Sequence, residues 1–261
     1  MEIGCSVFNN NEIRIAQEAG YAYVELKGKL LAAMSEQEVE GTLRVLEETG
    51  LSAYGINAYC GPEIQMIGPG YDPAAAKAYG QKLAARAALT GTKMIGIGSP
   101  ASRRLPEGAA DWEYTEARKQ MREFLQITAE AFQPYGMTIC LEPLAPVFCN
   151  YVNTAEEAAW LLEGIPCSNL GIVIDYYSME LSGESEEDFM PYLPLIRHAH
   201  TSDDDGDPYR RSYLFSHKRA VHQKRIRRLL GAGYQGNLTL EMDLPADAAA
   251  AAVSFRILSS F

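Results

Sequence analysis

The sequence predicts a single α/β domain spanning residues 1–261, a closed (β/α)8 barrel, and three observations carry that expectation. Strand-like and helix-like segments alternate from end to end, which implies a parallel sheet. No long linker or composition break divides them. Eight such units in about 250 residues is the usual size of a (β/α)8 barrel. An open doubly wound sheet is the competing architecture. It is weakened because no G-x-G-x-x-G follows the first strand, and Gly96-x-Gly98 after the fourth is too short a glycine pattern for a dinucleotide site.

The strand candidates in order are "EIGCSVF", "AYVEL", "SAYGINA", "KMIGIGS", "MTICLE", "LGIVID", "IRHAH" and "NLTLE". Each is short, apolar or alternating, and bounded by Gly, Pro or polar clusters. The helices between them carry start and stop signals. "SEQEVEGTLRVLEETG" has a capping box at Ser35 and Glu38, an apolar stripe at Val39, Leu43 and Leu46, and a stop at Gly50. "NTAEEAAWLLEGIP" repeats the scheme with Thr154, Glu157, Gly164 and Pro166. Asp72-Pro73 opens another helix with a cap followed by proline at the first helical position. Met121, Phe124, Leu125, Thr128 and Phe132 form a stripe at helical spacing on the longest helix.

Composition narrows the function. A net charge of −11 counts against DNA or RNA, because a nucleic-acid binder needs cations to exchange for counterions. The basic run "HKRAVHQKRIRR" reads as a solvated helix face, with an oligomer contact to an acidic stretch such as "ESEED" as the other reading. No run of 18 apolar residues suggests a membrane span, and the N-terminal stretch shows no basic and apolar signal pattern. The five cysteines form no C-x-x-C pair, which suits reduced thiols in the cytoplasm.

The last four strand candidates end in Glu142, Asp175, His200 and Glu241. The apolar residue before each points outward to the helices, so these four point inward at the C-terminal mouth of the barrel, where such folds carry their chemistry. Three carboxylates gathered without compensation repel one another. A divalent cation removes the conflict, and mixed oxygen and imidazole ligation favours Mn²⁺, with Co²⁺, Mg²⁺, Fe²⁺ and Zn²⁺ as alternatives. Glu25 is placed at the mouth by the second strand, to hold a substrate hydroxyl or to close a salt bridge. His198 shares a face with His200, as its partner or as a buried histidine bonded to backbone.

These motifs resemble the xylose-isomerase-like TIM barrels, the sugar phosphate isomerases/epimerases, with the D-tagatose/D-psicose 3-epimerase type the nearest pattern. "LEPLAPVFCNYVNTAEEA" is similar to the family's fifth strand and following helix, "IVIDYYSM" to its sixth-strand motif, "HAHTSDDDG" to its seventh and "LTLEM" to its eighth. The resemblance covers essentially the whole chain and is strongest from Met137 to Met242. It implies metal ligation by Glu142, Asp175, His200 and Glu241, with Glu142 and Glu241 also acting as the acid/base pair on a carbohydrate or polyol substrate. The family's histidine three residues after the sixth-strand aspartate is here Ser178, and its glutamate six residues after the first ligand is here Phe148. The family's substrate-binding arginine has Arg210 or Arg211 as its counterpart. Glu25, Ser178, His198 and Arg210 therefore complete the candidate site on the substrate side. The resulting expectation is an isomerase or epimerase working through an enediolate. A lyase of the inosose or dehydroshikimate dehydratase type, or a C-glycoside deglycosidase subunit, is the main alternative. An endonuclease IV-like enzyme and a non-catalytic sugar-binding subunit are more distant ones.

Overall fold

Short β-branched runs punctuated by capped helices close on themselves in the computed structural model, which describes residues 1–260. The chain enters through β1 (Ile3–Val7), β2 (Tyr23–Lys27), β3 (Ser52–Asn57) and β4 (Met94–Ile97). It continues through β5 (Thr138–Leu141), β6 (Leu170–Asp175) and β7 (Ile196–Thr201). A small antiparallel hairpin, β8 (Asp203–Asp204) with β9 (Arg211–Ser212), follows before β10 (Asn237–Leu240). The eight long strands form one closed parallel barrel in the order β1-β10-β7-β6-β5-β4-β3-β2. The (β/α)8 expectation is met.

The helical layer follows the caps that the sequence supplies. In α1 (Asn10–Ala19) Asn9 caps the first turn, and α2 (Gly28–Ala33) leaves directly from β2. At α3 (Glu36–Thr49) the Glu38 N–H donates to Ser35 Oγ at 3.3 Å, and Ser35 N–H donates back to Glu38 Oε2 at 2.7 Å. Such a cap contributes about 1 kcal/mol. Pro73 starts α4 (Pro73–Leu89) behind an Asp72 cap. In α5 (Asp111–Phe132) the whole stripe Met121, Phe124, Leu125, Thr128 and Phe132 is buried. α6 (Ala155–Leu162) departs from the expected box: Glu157 N–H donates to Thr154 Oγ1, but the Glu157 carboxylate accepts from Asn153 N–H, one residue earlier.

The basic run forms α9 (Arg219–Gly231), after α7 (Tyr176–Ser182) and α8 (Glu186–Phe189) and before α10 (Ala248–Ser259). Within the chain, Arg225 pairs with Glu180, and Arg228 pairs with Glu187 and, at 2.9 Å, with Glu186. The "ESEED" segment thus meets the basic helix of its own chain. Among the described residues, no helix is long and apolar enough to cross a membrane.

Candidate active site

Strand pairing fixes which side chains share a level inside the barrel, because alternate residues face inward. Asp175 lies beside His200, which lies beside Thr239. On the other side Lys27 lies beside Asn57, and Glu25 beside Gly55. Two glycines make room for carboxylates. A Cβ on Gly55 would come within 2.8 Å of Glu25 Cγ, and one on Gly98 within 2.6 Å of Glu142 Oε2.

His200 is the hub. Its Nε2 stands 3.1 Å from Glu25 Oε2, and its Nδ1 stands 3.3 Å from both Glu142 Oε1 and Glu241 Oε2. Beneath it, His198 Nε2 lies 2.5 Å from Glu25 Oε1, to which Thr239 Oγ1 donates at 2.6 Å. Tyr23 Oη, 2.9 Å from Thr239 Oγ1, extends this buried polar column downward. The floor below is Met94, Cys140 and Val173, with Tyr54 packed against them. All of the imidazole and carboxylate groups of the column are fully buried, so every donor must find an acceptor.

Opposed shifts run through the cluster. Burial pushes the Glu142 carboxyl up, with the charges of Glu241 and Asp175 adding to the rise and His200 resisting it. Burial also works to raise Glu241, but Arg211, His200 and Lys27 outweigh it and hold that carboxyl well below its usual range. Glu25 is likewise held low, its burial outweighed by the two histidines. The His200 imidazole is pushed well above its ordinary range: burial opposes the charge, but Glu25 and Glu241 overcome it. His198 moves the other way, because burial wins there over Glu25.

Glu142, His200 and Glu241 offer ligand atoms that all lie within 4.8 Å of one another. Asp175 stands outside that group. Its Oδ2 accepts from Arg211 Nη2 at 2.8 Å and from Ser178 Oγ at 3.2 Å, while Oδ1 caps α7 through Tyr177 N–H. Arg211 also places Nε 3.5 Å from Glu241 Oε2, so one guanidinium spans two of the four expected ligands. The donor set fits a divalent ion: Glu241 Oε2 has no hydrogen-bond partner, and Glu25 fixes one nitrogen of His200 and leaves the other toward both glutamates.

Above the cluster opens a cavity of about 340 Å³, lined by Phe8, Lys27, Lys29, Phe148, Arg211 and Asp243 together with Glu142 and Glu241. Ala58 and Ser99, also in the lining, adopt left-handed backbone with φ of 45° and 42°. Such strain in residues with side chains gathers at binding sites. Among the described residues, the lining includes none of the four residues expected on the substrate side. Glu25 lies one layer lower, because β2 runs two residues past it, and its oxygens serve the histidines. His198 lies in that column too. Ser178 is turned to Asp175. Arg210 lies in the turn before β9, where it pairs with exposed Asp205, and Arg211, the first residue of β9, takes the inward place. Lys27 and Asn57 were not legible as site residues. Asn57 Nδ2 donates to Glu241 Oε1 at 2.8 Å. Phe148 is in the cavity, 5.1 Å from the Arg211 guanidinium.

The family model for the xylose isomerase-like TIM barrel matches residues 13–258. The chain belongs to this family. Among solved structures, this xylose isomerase-like barrel is similar to the 3-keto-D-glucoside 4-epimerase of E. coli, at 20% identity over 100% of both chains and a TM-score of 0.78. A D-tagatose 3-epimerase-like protein matches at 17% identity over 99% of this chain and 96% of its own, with a TM-score of 0.79. A D-psicose 3-epimerase matches at 16% identity over 99% and 97%, with a TM-score of 0.76. At these identities the likeness establishes the fold. A search of curated proteins found no match.

Proposed function

We propose that this protein is a divalent-metal-dependent isomerase or epimerase acting on a sugar-like α-hydroxy ketone through an enediolate. The observation that carries the reading is the convergence of Glu142, His200 and Glu241, the two glutamates lining a cavity of small-molecule size. Support comes from the family and from neighbours whose names are those of sugar epimerases. Glu142, His200 and Glu241 would hold the ion, Mn²⁺ by the chemistry of the donors, with Asp175 completing the set when Arg211 releases it. When bound, the ion supplies positive charge beside the substrate's carbonyl and neighbouring hydroxyl.

The chain's own residues supply the rest. Glu142 and Glu241 form the acid/base pair: one takes a carbon-bound proton from the substrate and the other returns one. Glu25 holds the His200 ring in place, and Asn57 orients Glu241. Arg211, braced on Phe148 and Tyr177, faces the substrate oxygens. Five unpaired cysteines among the described residues support a reducing compartment, the cytoplasm.

The test is turnover of ketoses by the metal-loaded protein in deuterated water. An isomerase or epimerase places solvent deuterium on a substrate carbon. Product formed by loss of water instead indicates the lyase chemistry, and product without deuterium from solvent overturns proton transfer through Glu142 and Glu241.

A further inference from the structure

β2 ends in a buried cation. Lys27 occupies the uppermost inward level, its side chain 3% exposed, with Nζ 3.5 Å from Glu241 Oε1 and 4.7 Å from the centre of the Phe8 ring. That Glu241 oxygen already accepts from Asn57 Nδ2, so the ammonium is not needed to satisfy it. An ammonium offers three donors, and the contact to Glu241 leaves others turned to the cavity that Lys27 lines. Among the described residues, no carboxylate other than Glu241 comes within 4.0 Å of Lys27 Nζ. Two residues on, Lys29 lies exposed in the first turn of α2, its backbone N–H bonded to the carbonyl of the strained Ala58. Among the described residues it pairs with no carboxylate.

Both lysines line the cavity above Glu142 and Glu241. The chain carries 34 acids against 23 lysines and arginines, yet this lining sets Lys27, Lys29 and Arg211 against Glu142, Glu241 and Asp243. Arg211 is already occupied by Asp175, Glu241 and Asp243. Lys29 remains free for a ligand, and Lys27, which shares one contact with Glu241, has donors left beside it. A neutral polyol offers them only hydroxyl oxygens, whereas a phosphate or carboxylate forms charge-assisted hydrogen bonds of roughly twice the strength.

We infer that the substrate carries an anionic group, a phosphate ester or a carboxylate, seated between Lys27 and Lys29 while its hydroxy-ketone end faces Glu142 and Glu241. The inference rests on the proposed reaction and adds the substrate's charge class to it. No bond forms at the lysines. They hold the anion, with Phe8 and Ala58 in the cavity wall beside them.

The experiment compares a ketohexose, its 6-phosphate and the corresponding keto-uronic acid, scored by solvent deuterium uptake with the metal-loaded protein. A charged member should exceed the neutral one in kcat/KM by about tenfold to a hundredfold, the worth of a hydrogen bond to a charged group. Which charged member wins tells phosphate from carboxylate. Lys29→Met, at an exposed position, should remove most of that preference through KM, and Lys27→Arg should retain it. Equal exchange of the neutral ketose, or a preference that survives Lys29→Met and Lys27→Met, overturns the anionic class and leaves the proposed reaction standing. If no member exchanges, the proposed reaction fails. Calorimetry with inorganic phosphate then decides the anion site by itself: binding weakened at least tenfold in Lys29→Met supports it, and equal or absent binding overturns it.

Discussion

Going around the barrel, β10, β7, β6 and β5 are contiguous and lead to Glu241, His200, Asp175 and Glu142, whereas β4, β3, β2 and β1 lead to Gly98, Asn57, Lys27 and Phe8. One arc gathers two carboxylates around an imidazole, with a third, Asp175, beside them on Arg211. The other sends an amide and an ammonium across the mouth to Glu241. The difference teaches a division of labour. Carboxylates so close together need outside positive charge, which makes that arc reactive, while the opposite arc has donors to spare and can read a ligand. Arg211 crosses the division from the hairpin after β7, neutralising the acid arc while facing the cavity.

The largest expected effect lies in the acid arc. Glu142→Gln and Glu241→Gln keep size and one oxygen but remove the acid or base, so each should lose about 10²–10⁴ in kcat at saturating metal. Near-normal turnover would reduce both residues to a clamp. Removing the crossing cation should show next. Arg211→Met should cost the metal-free protein about 1–3 kcal/mol in denaturant unfolding, the penalty for leaving buried carboxylates unpaired. Added Mn²⁺ should recover most of the loss, and a loss indifferent to Mn²⁺ would separate Arg211 from the ion site.

Reading should be easier to alter than chemistry. Phe148→Glu, inside the cavity, should shift relative kcat/KM among sugars by about tenfold or more, because it trades an apolar wall for a hydrogen-bonding one. Ser178→His, on Asp175 and outside the lining, should shift it less. A reversed order would mean that the sixth-strand position touches substrate.

The smallest effect concerns the hairpin that carries Arg211. Asp203 accepts from Phe215 N–H at 2.7 Å and lies 3.1 Å from His222 Nε2 and 3.3 Å from Lys218 Nζ. Burial pushes its carboxyl up, but these partners win and hold it below the usual value. A depressed folded pKa gives stability that is present above the unfolded pKa of about 4 and is lost as pH falls toward the folded value. Asp203→Asn should therefore cost about 1 kcal/mol at neutral pH and progressively less in acid. A constant difference across that range would exclude the charge as its cause.

The acid arc was legible because each residue closes a β-branched or alternating run, and four such endings in succession have no common turn-forming explanation. The donor arc was not. "AYVEL" reads as a strand with Glu25 at the mouth, but pairing of Lys27 with Asn57 carries β2 further. Two residues preserve the face and move the level by about 6.6 Å, which lowers Glu25 into the polar column and gives Lys27 its place. The hairpin was hidden for a different reason. "TSDDDGDPYRRS" is dominated by turn residues, so the two-residue pairing of Asp204 with Arg211 leaves no periodic trace. Without that pairing, Arg210 and Arg211 cannot be told apart.

Whether the acid arc holds an ion is best decided by titrating Mn²⁺ into metal-stripped protein and following free Mn²⁺ by electron paramagnetic resonance. One ion should bind per chain, and His200→Ala and Glu241→Ala should each abolish it while Lys29→Met leaves it intact. Binding that survives loss of His200, or no binding to the wild-type chain, would contradict a metal centre built on Glu142, His200 and Glu241.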